Sequence, residues 1–293
     1  MTSGVLLVDK PHSITSHGVV ARARRLLGTR KVGHAGTLDP MATGLLILGV
    51  GTATRLLTWI VGLDKQYLAT IRLGEATTTD DAEGETISIA DDAARASVTD
   101  ERIAAGVAAL TGEISQRPSS VSAIKVDGKR AYTRVREGED VVLAERPVTV
   151  TAFDILGVRR GAEGIDIDVR VDCSSGTYIR ALARDLGEFL GVGGHLTALR
   201  RTRIGPFGIR EAVELDEVTQ ERLAAPAEVA GRLFRTIHLD AQAAIDLAHG
   251  KRIASDATGG PLAAVAPDGH LVGLVEVVDA RARVLVNFPQ EAP

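Results

Sequence analysis

One carboxylate, Asp39, stands in the glycine-rich stretch Gly33-His34-Ala35-Gly36-Thr37-Leu38-Asp39-Pro40-Met41-Ala42-Thr43-Gly44, with His34 in the same loop. An ionised carboxylate in such a loop can act as a nucleophile or as a general base. The same residues also read as a helix start, with Asp39 as N-cap and Pro40 at the first helical position. On this segment alone the cap is the better reading. Two further segments turn it toward chemistry: Gly176-Thr177-Tyr178-Ile179-Arg180, and the stretch around Tyr67.

Other chemistries find little support. Cys173 is the only cysteine, so one chain can form neither a disulfide nor a cysteine-based zinc site. A small buried strand residue is the better reading of that thiol. Gly49-Val50-Gly51 lacks the third glycine of a dinucleotide loop, Thr54 standing in its place. The acidic stretch Thr79–Glu85 has its glycine and carboxylates out of step with a calcium loop and reads as a solvated turn.

The elements that must position these residues follow from periodicity. Gly4–Val8 reads as a strand, and Thr15 or Ser16 caps a helix to about Leu27. Its apolar stripe is Val19, Val20, Ala23, Leu26 and Leu27, with Arg22, Arg24 and Arg25 off it. Leu45–Val50 is a short apolar strand, and a helix opens at Thr52 or Thr54 and runs through Gly62. Gln66–Leu73, Val148–Leu156 and Ile165–Cys173 alternate as strands, Val98–Leu110 is a helix, and a helix to about Leu190 follows the Gly176 turn. From about Leu239 the pattern becomes a short helix and short strands broken by Gly259-Gly260-Pro261 and Pro267-Asp268-Gly269, a small appended β module.

The 293 residues carry a net charge of −4, which at face value argues against a nucleic-acid partner. The distribution argues otherwise: residues 1–60 hold seven Lys/Arg against two Asp/Glu, and residues 116–160 hold nine against six. The basic segment Arg117–Pro147, with Lys125, Lys129, Arg130, Arg134 and Arg136 and turn signals at Asp127-Gly128 and Gly138, reads as an arm that grasps a polyanion. The apolar run Val5–Val8 stops at Asp9, and the window Leu45–Leu63 is broken by Gly49, Gly51 and Arg55. Neither forms a signal or a membrane span, so a cytoplasmic location is expected.

Taken together, the chain resembles the TruB-type tRNA pseudouridine synthases over nearly its whole length. The matching motifs are Asp9-Lys10-Pro11 with Thr15-Ser16, the Gly33–Gly44 loop, Lys65-Gln66-Tyr67 through Leu73-Gly74, Thr77–Gly84, Pro118-Ser119 through Ser122-Ala123-Ile124-Lys125, Gly176–Arg180 with Asp185-Leu186-Gly187, and Leu199-Arg200-Arg201-Thr202. The C-terminal module is similar to a PUA domain, a small RNA-binding barrel. Two positions depart from the pattern: Ser13 where the family usually has glycine, and Val121 where it often has an aromatic residue.

The resemblance implies an α+β catalytic domain on a mostly antiparallel mixed sheet over residues 1–237, with the basic insertion at about 116–147, and the PUA-like module over 238–293. It implies isomerisation of uridine 55 in the T loop of tRNA, without metal or cofactor, by a protein that needs no obligate protein partner and is a monomer. Asp39 is the catalytic carboxylate, Arg180 the cation that keeps it charged, and Tyr67 the platform for the flipped base. Tyr178 and Leu199 line the pocket, His34 contacts RNA, and Lys10, Lys125, Lys129 and Arg130 contact phosphates. A non-catalytic RNA-binding or tRNA-folding protein would keep the basic arm and the barrel without needing Asp39 and Arg180. A hydrolase cutting the nucleoside bond would want a second carboxylate.

Overall fold

The computed structural model describes residues 3–119, 144–162 and 164–290, with the backbone of 125–126 and 129–130. The chain divides into two compact units: Met1–Pro40 with Gly44–Val61 and Pro206–Pro293, and Met41–Thr43 with Gly62–Gly205.

In the first unit, β1 (Gly4–Lys10) is buried almost along its length, as its continuous apolar run demands. Helix α1 (Ser16–Leu26) is capped by Thr15, whose hydroxyl accepts from the Gly18 amide at 2.9 Å. Val19, Val20 and Ala23 of its stripe join Leu6, Val8, Leu46 and Leu48 in one core. Leu26 is a departure from the expected stripe and stands 46% exposed. Strand β2 (Val32–Ala35) and β1 both pair antiparallel with β3 (Thr43–Val50). The helix expected from Thr52 begins instead as a 3-10 stretch, Gly51–Leu56, before one α turn, α2 (Leu57–Val61). A Thr54 hydroxyl that donates to the Gly51 carbonyl at 2.8 Å offers the backbone this tighter alternative.

The second unit is built on an antiparallel sheet. Strand β4 (Lys65–Leu73) alternates buried and open residues, as its sequence predicts. After the hairpin β5 (Glu75–Thr77) and β6 (Thr86–Ile89) come helices α3 (Asp92–Ala96) and α4 (Asp100–Ala109) and strand β7 (Gly112–Gln116). The two short strands β8 (Lys125–Val126) and β9 (Lys129–Arg130) pair with each other. Strands β10 (Arg146–Gly161) and β11 (Gly164–Cys173), helix α5 (Ile179–Leu190) and strand β12 (Gly194–Ile204) complete the unit, in the sheet order β12-β4-β11-β10-β7. Helix α5 lies so close to the start of β12 that a Cβ at Gly187 would come within 2.2 Å of the Gly193 backbone, which accounts for the glycine of Asp185-Leu186-Gly187.

The chain then returns to the first unit with β13 (Phe207–Gly208), β14 (Val213–Glu214, parallel to β1) and α6 (Pro226–Leu233). Strand β15 (Thr236–His238), helix α7 (Ala241–Ala248) and strands β16 (Ile253–Ala254), β17 (Gly259–Val265), β18 (Leu271–Val278) and β19 (Arg281–Asn287) follow. They form a curled sheet in the order β15-β17-β18-β19-β16 over its own core of Leu247, Leu262 and Val275. The fold is thus α+β with a PUA-like C-terminal sheet. No helix among the described residues is long and apolar enough to cross a membrane.

Candidate active site

In the first unit, Asp39 starts no helix: the chain runs without regular structure from Thr37 to Asp39 and re-enters a strand at Thr43. The cap reading of Asp39-Pro40 is therefore set aside. The half-buried Asp39 lies between two residues whose backbones are tied to the segment 10–16. On one side, the Ser16 hydroxyl, 1% exposed, accepts from the Leu38 amide at 2.8 Å and donates to the Leu38 carbonyl at 3.1 Å. On the other side, the Pro40 carbonyl accepts from the Ser13 amide at 2.9 Å and from Lys10 Nζ at 3.2 Å. Because Thr15 takes the helix cap, Ser16 is available to hold this loop.

Lys10 corrects an expectation. It does not face a phosphate: it is fully buried, and its ammonium also donates to the carbonyls of Ile14 at 2.7 Å and Pro11 at 2.9 Å. Three carbonyls of the loop thus receive bonds from one ammonium, which holds the loop's backbone. Ser13 adopts φ 65°, the left-handed region that glycine tolerates best. His34 is on β2, opposite Leu48 of β3, with its ring 5.3 Å from His17 in an edge arrangement.

In the second unit, the register of β4 with its neighbours sets Tyr67 opposite Val171 on β11 and Arg201 on β12, and Leu199 opposite Ala69. Tyr67 and Leu199 therefore share the inward face of the sheet, 8% and 7% exposed. Lys65 is on the same face, and burial, then the neighbouring Arg201, lowers its pKa to about 8. Cys173, in register with Lys65, is buried as expected, and burial pushes its thiol up to about 11. A thiol held protonated in this way is inert.

Gly176, at φ 89°, turns the chain from β11 into α5, with Tyr178 as the residue before the helix. Arg180 is 3% exposed. Its Nη1 donates to the Thr79 carbonyl at 2.9 Å and stands 3.3 Å from Asp81 Oδ2. The reading of Thr79–Glu85 as a solvated turn is corrected here, since Asp81 is 3% exposed and Arg184, one turn beyond Arg180, meets Asp80 at 3.2 Å. Burial holds the Asp80 carboxyl above the usual carboxylate range. Reading the sequence as a solvated turn misses the pairing of Asp80 and Asp81 with Arg184 and Arg180. Their signal was the match of two consecutive aspartates to two arginines spaced one helical turn apart.

Lys125, Lys129 and Arg130 fall on the β8–β9 hairpin, but their side chains lie outside the described residues, as do Val121, Ser122-Ala123-Ile124, Arg134, Arg136, Gly138 and the Asp127-Gly128 turn. Among the described residues no group of three or more His, Cys, Asp or Glu side chains could hold a metal ion.

Residues 24–179 match the model of the TruB family pseudouridylate synthase N-terminal domain. The chain belongs to this family. Residues 180–241 match the tRNA pseudouridylate synthase B C-terminal domain, and 234–289 match tRNA Pseudouridine synthase II, C terminal. A protein of Leifsonia xyli subsp. xyli named tRNA pseudouridine synthase B is 61% identical, covering 99% of this chain and 97% of the relative. One of the same name from Arthrobacter sp. (strain FB24) is 56% identical over 98% of this chain and 97% of its own length. Among solved structures, a chain of an H/ACA RNP bound to a substrate RNA containing 2'-deoxyuridine superposes with a TM-score of 0.72 at 24% identity, covering 98% of this chain and 85% of that one. That likeness shows the fold. As a member of the TruB family, the chain is an isomerase that forms pseudouridine.

Proposed function

We propose that the substrate is uridine 55 in the T loop of tRNA and that Asp39 is the catalytic carboxylate. The observation that carries this reading is the clamp around Asp39, which holds the backbone on both of its flanks while no helix follows for it to cap. Such fixing is what a reacting group needs. In the reaction the N1–C1′ bond breaks, the uracil turns, C5 bonds to C1′, the C5 proton leaves and N1 takes up a proton. Asp39 serves as nucleophile or base, and Tyr67 holds the base once it has left its stack. Tyr178 and Leu199 line the pocket, Arg180 supplies the cation that keeps the catalytic carboxylate charged, and His34 contacts the RNA.

We assign RNA contact also to the β8–β9 hairpin with Lys125, Lys129 and Arg130, and to the C-terminal module, taken as 238–293. All four Lys/Arg of that module, Lys251, Arg252, Arg281 and Arg283, cluster at β16 and β19. Arg252, Arg281 and Arg283 line a recess of about 420 Å³ with Val278 and Asp279. Lys251 pairs with Asp246 and Arg283 with Glu276, each at 2.7 Å, and a phosphate in the recess would meet Arg252, Arg281 and Arg283 together. The relatives' name supports tRNA as the partner. We place the protein in the cytoplasm as a monomer.

The test is pseudouridine formation on an unmodified T-loop RNA with metal chelated, comparing wild type with Asp39→Asn and measuring RNA binding of both. Conversion by wild type and binding without conversion by Asp39→Asn is the expected result. Binding by both with conversion by neither makes this a non-catalytic RNA-binding protein, and release of free uracil makes it a hydrolase.

A further inference from the structure

The last residue of β7, Gln116, is 1% exposed, although a glutamine in a strand beside a polar, basic segment would ordinarily face water. Its side-chain amide engages a single residue twice. Oε1 accepts from the Tyr178 amide at 2.8 Å, and Nε2 donates to the Tyr178 carbonyl at 3.0 Å. That carbonyl also receives the Leu182 amide at 3.2 Å, so its second lone pair is what Gln116 takes. The Tyr178 amide lies outside the helical ladder of α5, and Tyr178 has no side-chain cap bond of its own. Gln116 thus fixes the peptide planes on both sides of Tyr178, from which Ile179 and Arg180 follow directly.

We propose that Gln116 is a positioning residue for the reaction: its carboxamide sets the direction in which Tyr178 and Arg180 leave the turn, without itself touching the substrate. The inference rests on the proposed function above. The neighbouring bonds do not replace it. The next residue, Arg117, gives its carbonyl to Arg184 Nη2 at 2.7 Å, which ties down the end of β7, while the two Gln116 bonds act on Tyr178 itself. Asp80 and Asp81 hold the arginine heads. Gln116 holds the backbone.

Two substitutions separate this role from a general loss of structure. Gln116→Met keeps the volume and removes both bonds. Gln116→Glu keeps the acceptor for the Tyr178 amide but, when ionised, sets a carboxylate against the Tyr178 carbonyl. Protonation restores a donor and an acceptor in the same places. The charged groups around that position are Arg146, in register with Gln116 on β10, Arg117, Arg184 and Glu188. The three cations favour the ionised form, while burial, Glu188 and the carbonyl disfavour it.

The measurement is release of tritium from 5-tritiated uridine in a T-loop RNA, with kcat and KM for wild type, Gln116→Met and Gln116→Glu between pH 6 and 8.5. Thermal melts are run on the same samples. For Gln116→Met we expect kcat to fall by about 10- to 100-fold with KM little changed, the size expected when a reacting assembly is displaced by about 1 Å. For Gln116→Glu we expect kcat relative to wild type to rise as the pH falls. Unchanged kcat in Gln116→Met, or a change confined to KM, overturns the proposal. If Gln116→Met fails to fold, the Gln116→Glu series decides: a ratio to wild type that does not vary with pH overturns it. Wild-type protein that releases no tritium refutes the proposed function itself, a result distinct from any that compares the variants with an active wild type.

Discussion

Two loops hold the residues assigned to chemistry, and they are held by different means. Around Asp39, Ser16 bonds to both ends of Leu38, and Lys10 and the Ser13 amide bond to the Pro40 carbonyl. Around Arg180 the backbone clamp recurs, with Gln116 on Tyr178 in the place of Ser16 on Leu38, but charge is added at the side chains, Arg180 with Asp81 and Arg184 with Asp80. The backbone on either side of the carboxylate is held by Ser16, Lys10 and the Ser13 amide, and the arginine is held at its head. Burying opposite charges together is stable only while both are present, whereas a backbone clamp loses its bonds one at a time.

The largest effect should therefore come from breaking the charged loop. Asp81→Asn leaves the Arg180 guanidinium, whose side chain is 4% exposed, facing an amide in place of a carboxylate. Removing one partner of a buried pair costs about 3–5 kcal/mol, read as a fall in the urea midpoint at unchanged slope. A loss below about 1 kcal/mol would show that the two loops do not differ in kind.

Next in size is Lys10→Met on the Asp39 loop. It fills the same volume, removes the lysine bonds to the carbonyls of Pro11 and Ile14, and takes one of two bonds from the Pro40 carbonyl. With a cost of about 1–3 kcal/mol for each buried acceptor left unmade, and some relief from water, we expect a loss of about 3 kcal/mol. The lost bond at Pro40 should also lower kcat more than RNA affinity. An unchanged kcat with full RNA binding would mean that the Asp39 loop keeps its shape without the ammonium.

How much of this was legible in the sequence depends on what holds each residue. The strands β1, β3, β4 and β11 and helix α1 declared themselves by periodicity, and the buried Cys173 by its type. Motif order pointed to Asp39, Tyr67, Tyr178, Arg180 and Leu199. Lys10 was misread as a phosphate contact because a lysine is normally exposed, and the carbonyls that surround it have no sequence signature. Asp81 was hidden by its acidic neighbours, since a run of carboxylates reads as solvated until the arginines that face it are placed. Thr15 and Ser16 could each have capped α1. Only the geometry gives the cap to Thr15 and the loop to Ser16.

Each unit also buries a lysine, and these differ in the same sense. Lys10 meets three carbonyls, while Lys65, 5% exposed, donates to the Leu63 carbonyl and shares its face with Arg201. Burial and Arg201 bring Lys65 from 10.5 to about 8. The sign follows from proton counting. Between the folded value and the unfolded one the unfolded chain binds more protons, so stability rises with pH over that window. The penalty is full below about 8 and is relieved as the ammonium deprotonates. From pH 7 to pH 9 the gain should be about 1 kcal/mol, read as the difference between wild type and Lys65→Met so that other groups cancel. Cys173 opposes it only above its unperturbed value, where its raised pKa makes stability fall with pH. A difference that is flat or falls from pH 7 to pH 9 would put Lys65 in the same well-served class as Lys10.

The smallest effect lies at the hinge of the Asp39 clamp. The family usually has glycine where this chain has Ser13, and the position is at φ 65°, with its amide committed to Pro40 at 2.9 Å. A non-glycine residue in the left-handed region costs about 1–2 kcal/mol in the folded state, while glycine gives back part of that gain through its freer unfolded chain. The Ser13 hydroxyl also meets His12 Nδ1 at 2.5 Å, an exposed contact of small net value. Ser13→Gly should thus stabilise the protein by about 0.5 kcal/mol. Activity should be unchanged, because the bond that matters to the Asp39 loop comes from the backbone amide, which glycine retains. A loss of stability would assign the hydroxyl a part in the clamp and make the first loop, like the second, dependent on its side chains at every anchor.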